Sequence, residues 1–310
     1  MIISPHFVVL AALSALALVG CGNPAEKRSA SPEVQTESDS TRLFDSQGHR
    51  GARGLLPENS IAGAERAVEL GMRTVELDLA VSRDSVLVVS HEPHFNTSIC
   101  QLDGTPYDAS TSLHALTAAE IQRVDCGSLL HPDFPYQAAA PGPKPTLAEL
   151  VAAADARASA LGLPPPHYNI EIKSSPEMDG VDAPAPATFA RLVYEALVEL
   201  GILGRATVQS FDPRPLTWFS ANAPEVPLGG LVPLALDRGG FVEQFDYDVD
   251  VFSPHHLALT RGMVADYQAN GLRVVPWTVN DKSRMRTLLR WNVDGIITDY
   301  PDRLAEVLAE

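Results

Sequence analysis

The sequence predicts an α/β protein built as a single (β/α)8 barrel, and three observations carry that expectation. From residue 43 onward, short apolar runs alternate with helical patterns, the rhythm of repeated βα units around a parallel sheet. Strand candidates fall at 44–48, 74–79, 86–90, 168–172, 206–210, 228–232, 251–253, 273–277 and 295–298, one more than such a barrel uses. Only about six residues separate the second from the third, whereas a parallel crossover needs a dozen or more. These two therefore form an antiparallel hairpin above the barrel mouth, and eight strands remain.

The chain has 310 residues, long enough for one large barrel, with 45% hydrophobic and 20% charged residues, as in soluble globular proteins. Its net charge of −16 disfavours nucleic acid and anionic membrane surfaces as electrostatic partners and favours a bound cation. Residues 1–21 stand apart from the fold: an apolar run at 7–19, too short to span a bilayer, ends in Leu18-Val19-Gly20-Cys21. That tetrapeptide resembles the bacterial lipobox, which implies a signal peptide, lipidation at Cys21 and an exported lipoprotein facing the periplasm or cell exterior. The n-region departs from the usual signal in having no Lys or Arg. Residues 22–42 are rich in Ser, Glu, Pro and Ala, too poor in large apolar side chains to offset ordering entropy, and read as a flexible tether.

Within the barrel region, 43–310, helix signals separate the strands. Asn59 or Ser60 caps a helix over 60–70 that stops at Gly71. Thr146 and Glu149 form a capping box opening a helix to about Leu161. Helices over 187–200, 260–269 and 282–291 follow the same pattern, the first two ending at Gly201 and at Asn270-Gly271. Residues 93–145 break the rhythm, being rich in Pro, Gly, Asp and Thr with one short helix candidate at 117–124; they read as an insertion over the mouth. Cys100 and Cys126 both lie in it, and in an oxidising compartment they are expected to be bridged, closing a loop of about 25 residues.

The chemistry is carried by strand ends. In 74–79, Val75, Leu77 and Leu79 point one way and Glu76 and Asp78 the other, because side chains alternate along a strand. If that face lies in an enclosed site, two carboxylates call for a hard cation, Ca²⁺ or Mg²⁺; on its own the stretch equally suits an amphipathic strand with its polar face in water. Glu171 and Lys173 repeat the two-residue spacing on the next barrel strand, His49 and Arg50 follow the first, and His91 follows the hairpin. Active sites of such barrels lie at the C-terminal strand ends, so these groups converge. Three acids, an Arg, a Lys and two imidazoles suit a phosphate ester: metal and Arg neutralise charge, and imidazoles transfer protons near neutral pH. Taken one at a time, Arg50 and Lys173 could be structural ion pairs. His114, His131, His167, His255 and His256 are read as surface or hydrogen-bonded core residues.

His49-Arg50-Gly51, Pro57-Glu58-Asn59-Ser60, Glu76-Leu77-Asp78, residues 88–91 and 169–173, Gln209-Ser210-Phe211, and residues 276–280 and 296–301 together resemble the glycerophosphodiester phosphodiesterase family, in order from about Gln47 to Arg303. The resemblance implies a TIM barrel that hydrolyses a small-molecule glycerophosphodiester to glycerol 3-phosphate and an alcohol, using one divalent cation. It implies His49 and His91 as the acid/base pair and Glu76, Asp78 and Glu171 as metal ligands. Arg50 and Lys173 become phosphate contacts, Glu58 and Asn59 support the metal site, and Phe211 and Trp277 line the pocket for the alcohol portion. Two positions depart from the family pattern: Glu92 follows His91 where the family has Asp, and Ser60 stands where it has Thr. Two other readings keep part of this constellation: a phospholipase D-like or phosphoinositide-type phosphodiesterase acting on intact lipids, and a non-catalytic lipoprotein that binds phosphoesters. The second has no need of two histidines.

Overall fold

The computed structural model describes residues 43–107, 110–233, 236–245 and 249–310. The expected signal peptide, the expected lipidation site Cys21 and the expected tether at 22–42 lie outside the described residues.

Eight parallel strands form the barrel. They are β1 (Asp45–Gly48), β2 (Thr74–Val81), β6 (His167–Ile172), β7 (Ala206–Ser210), β8 (Leu228–Val232), β9 (Val251–Pro254), β10 (Arg273–Val274) and β11 (Gly295–Thr298). The short arm β3 (Leu87–Val89) pairs antiparallel with the far end of β2, Leu79 opposite Val89, as the strand count required. The sheet runs in the order β10-β9-β8-β7-β6-β2-β1-β11. Backbone bonds from Asp294 to Val274 (2.9 Å), Ile297 to Pro276 (3.1 Å) and Val279 to Ile297 (2.9 Å) join its two ends. The strand β10 is shorter than the expected 273–277 because Pro276 has no N–H to donate.

Strand alternation divides the side chains as the sequence suggested. Val75, Leu77, Leu79, Ile170 and Ile172 are buried in the main apolar core, beneath the helices, while Glu76, Asp78 and Glu171 are buried on the opposite faces. Helices α1 (Ile61–Glu69), α3 (Leu147–Ala160), α4 (Pro186–Glu199), α7 (Arg261–Ala269) and α8 (Lys282–Arg290) fall where expected, α1 capped by Ser60 and α3 opened by the Thr146–Glu149 box. Three further helices were not anticipated: α5 (Pro213–Asn222), α6 (Arg238–Gln244) and α9 (Pro301–Leu308). Proline opens α5 and α9 at the first helical position, where its missing N–H costs nothing.

The insertion packs a small core against the hairpin, with Phe95, Ile99, Leu113, Ile121 and Val124 around Cys100 and Cys126 and Ala80 and Val88 beneath. It holds a two-stranded ribbon, β4 (Gln101–Leu102) with β5 (Thr105–Pro106), and the short helix α2 (Ala118–Ile121), inside the expected 117–124. Cys100 and Cys126 are bridged, 26 residues apart. Its far end returns alongside β3: Thr146 pairs with Val88, and the Val89 N–H donates to the Pro145 carbonyl (2.8 Å). Replacing both cysteines by serine is expected to lower stability by about 3 kcal/mol through the longer unfolded-state loop, measured as a fall in the denaturant midpoint.

Candidate active site

Three local features bring the site together. First, the turn after β1 places Arg50 in the left-handed region (φ 48°), which aims its N–H at Glu76 Oε2 (2.8 Å). Gly51 follows at φ 84° against the α1 backbone, where a Cβ would come within 2.6 Å of the Gly63 carbonyl carbon; only glycine fits. Second, Asn59, also left-handed (φ 51°), reaches Asp78: its amide donates to Oδ2 (2.8 Å), and its carbonyl oxygen accepts from the Asp78 N–H (3.2 Å). Third, the β2–β3 hairpin continues through a bond from the Ser90 N–H to the Asp78 carbonyl (2.9 Å), which brings His91 over the carboxylates.

Glu76, Asp78 and Glu171 each offer an oxygen within 4.8 Å of the others, all buried. Burial and the nearby Asp78 and Glu171 charges push the Glu76 carboxyl well up; burial also raises Glu171. Asp78 goes the other way: burial is outweighed by Lys173 and Arg50, which hold it well below the usual carboxylate range. Lys173 Nζ lies 2.6 Å from Glu171 and 3.1 Å from Asp78, and against the effect of burial these acids push its ammonium up to about 12. Asp78 Oδ1 is buried with Lys173 as its ion-pair partner. Three buried carboxylates that repel one another, with oxygens this close, fit a hard divalent cation.

Around this cluster, one cavity of about 210 Å³ is lined by His49, Arg50, Arg53, Glu76, His91, Glu171, Lys173, Gln209, Phe211 and Trp277, among others. The sequence-derived residues therefore meet, with two refinements. Asn59 acts on Asp78 directly, whereas Glu58 accepts from Arg50 (3.0 Å) and Arg53 (2.5 Å) and reaches the metal cluster only through Arg50. Phe211 and Trp277 pack edge to face, 5.4 Å apart, with the indole N–H donating to the Ser253 carbonyl (2.9 Å).

Sequence reasoning missed four contributors. Asp299 Oδ1 lies 2.6 Å from His49 Nδ1, and Asn280 donates to its other oxygen (2.7 Å). Burial favours the neutral imidazole and drives the His49 pKa down, against the pull of Asp299. Gln209 donates to Glu76 Oε1 (3.0 Å), and Arg53 lines the cavity wall. Asp299, Asn280 and Gln209 lay within the quoted motifs; their partners are 250, 19 and 133 residues away, and spacing alone carries no such pairing. His91 Nδ1 sits 3.0 Å from Glu92 Oε1, so the longer carboxylate still orients the ring. Against the effect of burial, the bond to His91 and the charge of Lys144 hold Glu92 down to about 2.

The family model for glycerophosphoryl diester phosphodiesterases matches residues 49–303. The chain belongs to that family. It is 29% identical over 265 residues to a glycerophosphodiester phosphodiesterase of Bacillus subtilis, covering 84% of each chain. It is 28% identical to the Caldanaerobacter subterraneus enzyme over 84% of this chain and 96% of that one. A Silicibacter pomeroyi structure assigned to the same family superposes with a TM-score of 0.77 at 28% identity, covering 87% of this chain and 94% of the other. An Oleispira antarctica phosphodiesterase, in complex with sn-glycerol 3-phosphate, shares the fold (TM-score 0.68, 22% identity, 86% and 98% covered). The protein is thus a glycerophosphodiester phosphodiesterase with the TIM-barrel fold expected of it.

Proposed function

We propose that this enzyme releases glycerol 3-phosphate and an alcohol from glycerophosphodiesters, with His49 and His91 as the proton-transfer pair and Glu76, Asp78 and Glu171 holding one Ca²⁺ or Mg²⁺. The observation that carries this reading is the convergence of both imidazoles, the acidic cluster, Arg50 and Lys173 on one cavity. A divalent cation there supplies charge neutralisation to the phosphoryl oxygens. Arg50 and Lys173 are placed to share that work, since each borders the cluster and carries a persistent positive charge. Overall, the phosphorus–oxygen bond to the alcohol breaks, water supplies the new P–O bond, and one water proton ends on the alcohol.

One imidazole takes the proton of the attacking hydroxyl and the other delivers a proton to the leaving alkoxide. The carboxylate of Asp299 fixes the His49 ring and tautomer through Nδ1, leaving Nε2 turned toward the cluster, 4.0 Å from Glu76. The attacker is either water or the neighbouring glycerol hydroxyl; accumulation of a cyclic phosphate distinguishes the second. Phe211 and Trp277 form the apolar wall against which the carbon skeleton packs.

The direct test follows glycerol 3-phosphate release from glycerophosphocholine and glycerophosphoethanolamine with Ca²⁺, Mg²⁺ or EDTA. Release that depends on a cation is the expected result; none from folded protein under any condition would overturn the reading and direct the assay to intact lipids. We infer in addition that the enzyme is exported and anchored through lipid at Cys21, which leaves the membrane a partner through the anchor only. Mass spectrometry of the mature N-terminus checks this, an unmodified Cys21 being the contrary outcome.

A further inference from the structure

Arg53 belongs to none of the roles above, yet its side chain lines the catalytic cavity. It is braced from three sides. Nε donates to Glu58 Oε2 (2.5 Å), Nη2 lies 3.4 Å from His131 Nε2, and the guanidinium stands 4.6 Å from the Phe134 ring centre. His131 and Phe134 come from the insertion. The insertion also fixes the backbone beneath: Gln137 donates to the carbonyls of Arg53 (2.8 Å) and Leu56 (3.1 Å), and the Ala138 N–H donates to Leu55 (2.8 Å). A long, rotamer-rich side chain is thereby held in one place, which removes most of the entropy a ligand would otherwise have to overcome.

Glu58 is a single carboxylate shared between two guanidiniums, Arg50 at 3.0 Å and Arg53 at 2.5 Å, with Arg50 also facing Asp78 at 3.4 Å, so Arg53 does not have Glu58 to itself. Among the described residues, Nη1 of Arg53 makes no hydrogen bond. On the proposed function the scissile phosphate is met by Arg50, Lys173 and the cation, and glycerol is neutral. The part of a diester that can complement a further guanidinium is the alcohol.

We propose that Arg53 is a specificity-determining residue that favours glycerophosphodiesters whose alcohol carries a second anionic group, a carboxylate or a phosphate. This rests on the phosphodiesterase reading of the site and names its substrate class. The insertion takes part by holding the guanidinium, through His131 and Phe134, at the edge of the cavity.

Glycerophosphoserine and glycerophosphoethanolamine differ by one carboxylate, so the ratio of their kcat/KM values isolates the contact. The wild-type enzyme is expected to prefer the serine diester by about tenfold, the scale of one charge-assisted hydrogen bond. Arg53→Met is expected to bring that ratio close to one, and Arg53→Lys to retain part of it. Phe134→Leu, which keeps the Glu58 pair and removes the ring, is expected to lower the ratio in the same direction and serves if Arg53→Met does not fold. A wild-type ratio near one, or an equal loss on both substrates in the Arg53 variants, would overturn the proposal; the latter would make Arg53 a contact of the scissile phosphate. Failure of the phosphodiesterase reading looks different: neither diester would be cleaved by the wild-type protein.

Discussion

Alanine at His49 is expected to lower kcat by about 10²- to 10⁴-fold, the usual contribution of a positioned acid or base, with little effect on the thermal midpoint. The side chain is only slightly exposed, its ring is tied to Asp299 at 2.6 Å, and it contributes to no apolar core cluster. His91→Ala is expected to fall in the same range. Asp299→Asn is the finer probe: the amide keeps the size of the carboxylate but offers His49 Nδ1 a donor as readily as an acceptor, so the wrong tautomer is populated. A loss of kcat with KM nearly unchanged would match that role. Wild-type rates in either histidine variant would remove that residue from the proton-transfer pair.

Glu76→Gln is expected to remove both turnover and the stabilisation that added cation gives. A ligand at about 100 times its Kd stabilises the folded state by about 2.7 kcal/mol, which a thermal shift with and without Ca²⁺ or Mg²⁺ reads directly. In the wild type, three buried carboxylates offer oxygens within 4.8 Å of one another, and a bound cation would relieve a repulsion that Lys173 and Arg50 only partly offset. Removing one negative charge takes away a ligand and weakens the reason for a cation to enter. Asn59→Ala should act less severely, by about 10- to 100-fold in metal affinity, since it orients Asp78 without binding the ion. A cation-induced shift that survives in Glu76→Gln would place the ion elsewhere.

Much of this site is written in local pattern. Glu76 with Asp78, and Glu171 with Lys173, are visible because a strand fixes which residues share a face. The hairpin that carries His91 follows from the short separation between two apolar runs. What stayed hidden depends on contacts between distant elements. Asp299 behind His49 joins the ends of β11 and β1, which become neighbours only when the barrel closes. Arg53 acquires its place from Phe134 and His131, whose positions depend on the packing of a loop-rich segment. The helices α5 and α9 were missed for another reason: a proline that breaks a helix interior is welcome at its first turn, and the two situations look alike in one sequence.

The insertion leaves the barrel just after the His91–Glu92 pair and comes back beside the strand that delivered them, Pro145 and Thr146 lying against Val89 and Val88. Its two ends are therefore neighbours, and its interior has a cross-link and a small apolar cluster seated on Ala80 and Val88 of the hairpin. Such an excursion is a cassette. Closed at its base in this way, it can change in length or sequence without lengthening or re-registering any barrel strand.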